Sequence, residues 1–356
     1  MAFGAVSGYT NLPNGNFSPV IYSKQVQLAF RKASIADAIT NNDYFGEIAN
    51  MGDTVKIIKE PEISVSAYLR GTTIAPQDLT DNDFSLVVDK ANYFAFKVDD
   101  IEEAHSHVNF QSLASDRAAY RLADQYDQEV LGYVSGYAQS TLHDNADTVN
   151  TTVNGTKANS SAGSDELLAA NKLNKGDFGN ITTSAADDHS IPVAARLPGA
   201  TALPTAYVSP AMLVARMGRL LDAQNVPTTG RWIVIDPVLM EVLRDEDSRL
   251  LNADFGGSGL QNGLVLNNFH GFRVHVSNNL PSVGTGASTT GTANQNTNYG
   301  VIVAGHDSAA ATAEQINKTE TYRDPDSFAD IVRGMHLYGR KILRPEALVT
   351  AKYNLA

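Results

Sequence analysis

The chain has 356 residues, 43% hydrophobic and 19% charged, with a formal net charge of −12 and a pI near 5.1. That length suits about two domains with a sizeable core, and the composition excludes wholesale disorder. With no cysteine, disulfides, thiolate catalysis and Cys-ligated metals are excluded, and no basic stretch offers a footprint for tight, direct nucleic-acid binding.

The first residues, MAFGAVSGYTNLPNGNFSP, lack a charged n-region and a continuous apolar run, so no signal peptide is expected and synthesis is expected to be cytosolic. No window reaches the ~18 apolar residues of a membrane helix. Residues 1–22 read as an extended arm, with Pro13, Gly15 and Pro19 preventing regular structure, and a helix is expected from Gln25 to Asn41. Thr54–Lys59 reads as a strand ended by Pro61.

Between Glu60 and Phe96 the pattern predicts a long hairpin. Its outgoing limb is Ile63–Leu69 (ISVSAYL), and its returning limb runs from Phe84 through Leu86 and Val88 to Phe96. The mostly polar segment Arg70–Asp83 between them holds Gly71 and Pro76. At ~3.3 Å per residue the longer limb reaches on the order of 40 Å. A lone hairpin is marginal in water, so this one needs another surface to lie on. Tyr68 and Leu69, with Arg70, Asp78, Asp81 and Asp83 as ion-pair partners, are the residues expected to touch a neighbouring copy.

From Asn109 to Ser140 the spacing of Ala118, Leu122, Tyr126, Val130, Tyr133, Val134 and Tyr137 predicts a long amphipathic helix. Asp116, Arg117, Arg121, Asp124, Asp127 and Glu129 are expected on its remaining surface, with Asn109 as N-cap. Residues 141–204, rich in Asn, Thr, Ser, Ala and Gly, read as a polar insertion of limited order with short helices near Asp165–Lys172 and Ala194. Ser209-Pro210 then opens a helix through Leu221. Trp232–Ile235 reads as a buried strand, and Asp236-Pro237 starts another helix. Strands are expected at Phe272–Val276, at Val301–Val303, and in a final segment, Ile331–Tyr353, broken near Pro345.

The run Asn225-Val226-Pro227-Thr228-Thr229-Gly230-Arg231, with the strand and proline-started helix after it, resembles the major capsid proteins of tailed bacteriophages. So does Gly271-Phe272-Arg273-Val274 followed by Ser277-Asn278-Asn279-Leu280-Pro281. The element order is similar too, over nearly the whole chain outside 141–204. The resemblance implies an α+β chain with the Hong Kong 97 phage fold: residues 1–50 as N-terminal arm, 51–100 as E-loop and flanking strands, and 101–140 as spine helix of a P-domain. After the insertion 141–204, residues 205–323 match a mixed α/β A-domain and 324–356 match C-terminal strands returning to the P-domain. It also implies a structural protein, not an enzyme, whose copies form hexamers and pentamers of an icosahedral shell around double-stranded DNA. Scaffolding, portal and possibly cement proteins are the implied partners, the virion is the implied location, and assembly takes place in the host cytoplasm. An encapsulin-like nanocompartment resembles the same fold and is the alternative, which the long insertion disfavours. Some family members cross-link through an E-loop lysine, but no lysine lies between Lys59 and Lys90 here, so that bond is not expected.

Other constellations yield no chemistry. Asp99-Asp100-Ile101-Glu102-Glu103 with His105 and His107 lacks the spacing of an EF-hand or an H-E-x-x-H helix, and reads as an acidic helix start. The loop Phe255–Gly263 fits neither phosphate-cradle pattern, no G-x-S-x-G elbow occurs, and the G-x-x-x-G of Gly132 and Gly136 sits in a charged helix. No cofactor, metal or catalytic residue is therefore assigned.

Overall fold

The computed structural model describes residues 34–43, 54–59, 61, 63–71, 73, 76–78, 82–99, 110–136, 167–173, 175–178, 191–193, 208–243, 268–283 and 299–355. Within the first stretch lies one helical turn, α1 (Ala36–Ile39). Of the helix expected over Gln25–Asn41, residues before 34 lie outside the described residues, while Ser34, Ile35, Thr40 and Asn41 are not helical, the chain turning extended at Thr40 so that Asn41 can bridge Ala311. Four residues cannot hold a helix by propensity, so α1 depends on tertiary contacts.

β1 (Thr54–Lys59) pairs antiparallel with β2 (Asn82–Val87), from Thr54↔Val87 to Lys59↔Asn82. A hairpin is present, but its outgoing strand is β1 and not Ile63–Leu69, which is outside any ladder among the described residues. The physical reason is burial. Val55 and Ile57 pack against Leu86, Val88, Ala311 and Ala313, whereas the alternating apolar residues of 63–69 face solvent and have no surface to cover. The returning limb is also two strands instead of one. β3 (Lys90–Asp99) begins after Val88-Asp89 and joins a different sheet. The break falls where the chain crosses Gly339, whose missing Cβ would collide with the Val87 carbonyl and come within 3.0 Å of Val88 Cα.

Helix α2 (Phe110–Ser135) spans ~39 Å. Gly136, at φ +72°, closes it with its N–H on Tyr133 O at 3.1 Å, so this glycine is a C-terminal cap and not half of a packing motif. Tyr126, Val130, Leu131, Tyr133 and Val134 are buried as the periodicity requires. Asp124, Asp127 and Glu129 are buried too, contrary to their expected solvent-facing positions, because each finds hydrogen-bond donors inside the protein.

The segment 141–204 contributes two strands to the core. β4 (Lys172–Leu173) follows a 3₁₀ turn at Ala169–Asn171, and β5 (Ile191–Val193) stands where a helix near Ala194 was expected. Leu173, Ile191 and Val193 are buried, so limited order does not describe these positions. Asn171 fixes the first of them, its Nδ2 donating to the carbonyls of Leu348 (2.9 Å), Glu346 (3.2 Å) and Pro345 (3.3 Å).

Helix α3 (Pro210–Ala223) starts as expected: Ser209 Oγ accepts from Met212 N at 3.3 Å, and proline fills the first turn where no N–H is missed. β6 (Arg231–Ile235) is buried at all five positions, and α4 (Pro237–Leu243) follows, with Asp236 Oδ1 accepting Leu239 N at 3.1 Å. Then come β7 (Asn268–Phe269), β8 (Phe272–Val276), β9 (Ser282–Val283), β10 (Tyr299–His306), β11 (Ala310–Arg323), β12 (Ala329–Ile342) and β13 (Leu348–Leu355).

An eight-stranded mixed sheet has the order β4-β13-β10-β6-β8-β7, with β5 on β13 and β9 on β10. Trp232, Phe272, Leu213, Met217, Leu221 and Tyr353 form its core with α3. A separate three-stranded antiparallel sheet has the order β11-β12-β3. Its two long strands run Ala310↔Ile342 to Arg323↔Asp330, and α2 lies against β12 and β3. Two consequences depart from the sequence reading. β11, grouped there with the α/β segment, belongs with β12 and β3. The last 33 residues divide between the sheets, β12 in one and β13 in the other.

Candidate functional site

Beyond the β1–β2 ladder the arm carries apolar side chains that nothing covers. Val65 is 96% exposed, Leu69 69% and Tyr68 65%, with Ile63 similarly bare, and within the ladder Ile58 of β1 is exposed too. One cross-tip tie is present: Gln77 Oε1 accepts from Ser64 N at 3.1 Å and from Ser64 Oγ at 2.8 Å. Tyr68, Leu69 and Arg70 are contiguous and exposed, and Asp78 is exposed on the other side of the tip. No ion pair joins Arg70 to Asp78 among the described residues. Asp83 has its backbone in β2 opposite Ile58, so it belongs to the paired stem rather than to the tip, and Asp81 lies outside the described residues. Exposing several large apolar side chains on one short segment is unusual for a monomer and marks an interaction surface.

A second exposed apolar area lies on the outer face of the three-stranded sheet, away from α2. Tyr93 is 80% exposed and sits opposite Met335 in the β3–β12 register. Arg333 lies over the Tyr322 ring at 4.9 Å and donates to Glu320 at 2.9 Å. At the β11–β12 turn Phe328 stands in solvent beside an ordered loop. There Asp324 accepts from Lys97 Nζ (2.8 Å), Ser327 Oγ (2.6 Å) and Asp326 N (3.1 Å), and these hydrogen bonds, the Lys97 one foremost, hold its carboxyl well below the usual carboxylate range. The turn is thus a rigid mount for an exposed phenylalanine.

Two buried polar junctions hold these surfaces in place, and neither was anticipated from the sequence. Asp127, on α2, accepts at Oδ1 from Ile35 N (2.8 Å), Ala36 N (2.8 Å) and Ser34 Oγ (3.1 Å), and at Oδ2 from Asn279 Nδ2 (2.8 Å). The same Asn279 amide reaches Asp124 Oδ1 at 3.0 Å, while Asn279 N donates to Ser277 Oγ at 3.0 Å. One carboxylate therefore joins the N-terminal segment, the long helix and the turn after β8. Below α1 the strand-like residue Asn41 bridges Ala311, and Thr40 and Thr312 share a 2.9 Å hydroxyl contact. At the second junction Glu129 accepts from Tyr338 OH, from Gln125 Nε2 at 3.0 Å and from Asn92 Nδ2 at 3.4 Å, and Arg340 donates to its backbone carbonyl. Burial, and then the neighbouring Glu129 carboxylate, push the Tyr338 phenol up, so it remains a donor.

The turn Asn225–Arg231 shows why its residue types recur together. Asn225 (φ +58°) and Gly230 (φ +77°) adopt left-handed conformations. Arg231 staples the loop, donating to Val226 O at 2.6 Å and Pro227 O at 2.8 Å while pairing with Asp222 at 2.8 Å.

No group of three or more His, Cys, Asp or Glu side chains among the described residues is arranged to hold a metal. No helix among them is long and apolar enough to cross a membrane. Asp99 ends β3; the rest of its acidic run, both histidines and the loop 255–263 lie outside the described residues.

Neither a protein family nor a curated protein sequence matches the chain. Solved structures do. A structure of Mycobacterium phage Che8 aligns at 25% identity, covering 95% of this chain and 97% of its own, with a TM-score of 0.65. The capsid of the cyanophage P-SCSP1u aligns at 19% identity over 96% of this chain and 94% of its own, with a TM-score of 0.64. The capsid of a native GTA particle follows at 12% identity, 95% and 96% coverage, and a TM-score of 0.55. The chain has the Hong Kong 97 fold of phage capsid proteins. The cyanophage and GTA neighbours are capsid structures, and the encapsulin alternative is not favoured.

Proposed function

We propose that this chain is the major capsid protein of a tailed bacteriophage and that its copies close into an icosahedral shell of hexamers and pentamers around double-stranded DNA. The near-full-length likeness to capsid structures supports the reading. The single observation that carries the mechanism is the bare arm, where Ile63, Val65, Tyr68 and Leu69 are finished surfaces only if another subunit covers them. Burying apolar area contributes about 25 cal/mol per Å², so each copy gains modestly and the closed shell multiplies the gain by its symmetry.

In this reading residues 60–81 are the tip of the E-loop, α2 is the spine helix of the P-domain, and the eight-stranded sheet with α3 and α4 is the A-domain. The arm swings against these rigid bodies when the shell expands. No lysine on the tip offers an amine, so subunits are held by buried contacts or by a cement protein rather than by an isopeptide bond. Scaffolding and portal proteins complete the set of partners, assembly takes place in the host cytoplasm, and the acidic chain lets packaged DNA slide. Negative-stain microscopy of the purified protein tests the reading. Shells, tubes or capsomers are expected, and a small, soluble oligomer at every concentration tried would refute it.

A further inference from the structure

We infer that residues 34–43, the short strap that carries α1, form a pH-sensitive latch: the strap grips α2 and the three-stranded sheet most tightly when His336 carries a proton, and loosens as pH rises through the histidine range. The latch belongs to the single subunit, so it stands or falls apart from the shell reading.

The strap has no stability of its own. α1 is a single turn, too short to persist by propensity. It is held at one end by Asp127, through the N–H groups of Ile35 and Ala36. At the other end β11 holds it, with Asn41 N donating to Ala310 O at 2.8 Å and Thr312 N to Asn41 O at 3.2 Å.

Between these ends the strap brings a carboxylate to a buried histidine. His336, on β12, is stacked on Tyr338 at 5.1 Å and lies edge-on to Tyr126 at 5.2 Å. Its Nε2 is 3.2 Å from Glu314 Oε1 on β11. Asp37, on α1 at the solvent edge, is near enough for its carboxyl to feel His336, Glu314 and Asp127 together. Three carboxylates from three elements thus converge on one imidazole, the side chain type that changes charge near neutral pH. The other charged or titratable groups of this layer, among the described residues, are Tyr126 and Glu129 of α2, Tyr338 and Arg340 of β12, and Lys90 of β3. Burial pushes both phenols up, so they stay neutral. Arg340 lies 4.0 Å from Glu129 and Lys90 lies 2.9 Å from Asp89, each beside an acid of its own.

Docking carries the Asp37 carboxylate to His336, so a proton on the imidazole favours the docked strap, and its loss favours release. Asp37 pulls the same way. Burial, then Glu314 and Asp127, raise its carboxyl above the ordinary 3.8 against the opposing His336, so the docked strap binds that proton more readily than a free one. The Asp37 contribution is full below pH 3.8 and is lost as pH rises through the docked value; the histidine contribution is lost at higher pH.

Hydrogen exchange on the purified chain at about pH 5.5 and about pH 8, each corrected for the intrinsic rate, reads the latch. Peptides covering 35–41 should lose about tenfold in protection at the higher pH, the factor that one unit of coupling gives, while peptides in β10 keep theirs. His336→Gln retains a donor for Glu314 but takes up no proton, so its protection should agree at the two pH values to within about twofold. Wild-type protection that is unchanged between them, or that falls equally in β10, overturns the inference, as does a His336→Gln chain that keeps the full loss. Should that variant fail to fold, Asp37→Asn takes its place. With the strap's carboxylate gone the loss should shrink to about twofold, and an undiminished loss overturns the inference.

Discussion

Removing the carboxylate of Asp127 should loosen the joint on which the N-terminal segment sits. In Asp127→Ala the N–H groups of Ile35 and Ala36 lose their acceptor, and both residues are buried; Asn279 retains Asp124. An unpaired buried donor costs about 1–3 kcal/mol, so two of them amount to roughly 2–6 kcal/mol. Set against the ~5–15 kcal/mol that stabilises a typical native protein, that is a large fraction. Asp127→Asn keeps one oxygen for the two backbone donors and turns its own NH₂ toward the Asn279 amide, so its cost should be smaller, about 1–2 kcal/mol. Trp232 is the only tryptophan and is fully buried, so urea denaturation followed by its fluorescence reports the transition. A midpoint for Asp127→Ala within ~0.5 kcal/mol of wild type at unchanged slope would refute the account.

Tyr68→Ser combined with Leu69→Ser should leave the urea midpoint of the isolated subunit unchanged, because both side chains are already in water, yet prevent closed particles; normal-sized shells by microscopy would remove the arm from the interface. Gly339→Ala should destabilise by about 3 kcal/mol, the upper end for overpacking, since the added methyl meets the Val87 carbonyl, which cannot turn aside as a side chain can; loss of soluble subunit on expression is the readout. Burial raises the Asp236 carboxyl above its ordinary 3.8, despite the Tyr353 and Leu239 hydrogen bonds that oppose the shift. The folded chain thus binds a proton more readily there than the unfolded one. Its contribution is full below pH 3.8 and falls as pH rises through the folded value, so Asp236→Asn should flatten that decline in urea midpoints measured across the acid range. Raising salt should shift the midpoint little through Arg323–Asp330, because an exposed pair is weak and already screened by solvent.

Elements whose signal is local were legible in the sequence. Ser209-Pro210 fixed the start of α3, the apolar stripe gave α2, and the unbroken run Trp232–Ile235 gave a buried strand, each depending on neighbours within a few residues. Pairing partners were not legible. Residues 63–69 alternate as well as any strand in the chain, yet alternation says only that one face should be buried and not against what. β11 reads AATAEQINKTETYR, polar through most of its length, and becomes a strand because β12 lies beside it for thirteen register pairs. The buried acids were hidden for the same reason. Asp124, Asp127 and Glu129 look like the wet side of a helix until Asn279, Tyr338 and the backbone of α1 arrive from up to 209 positions away. Of the exposed apolar surface, the arm was visible from its lack of a core, while Tyr93, Met335 and Phe328 gave no sign of being exposed.

The eight-stranded sheet has its gap filled last. β13, residues 348–355, lies between β10 on one side and β4 and β5 on the other, and Asn171 grips the carbonyls just ahead of it. During synthesis the two halves of that sheet must wait, unjoined, until residues 348–355 have emerged from the ribosome. Until that strand arrives the core around Trp232 lacks Leu348, Val349, Ala351 and Tyr353, so no nascent copy can present a finished sheet to another.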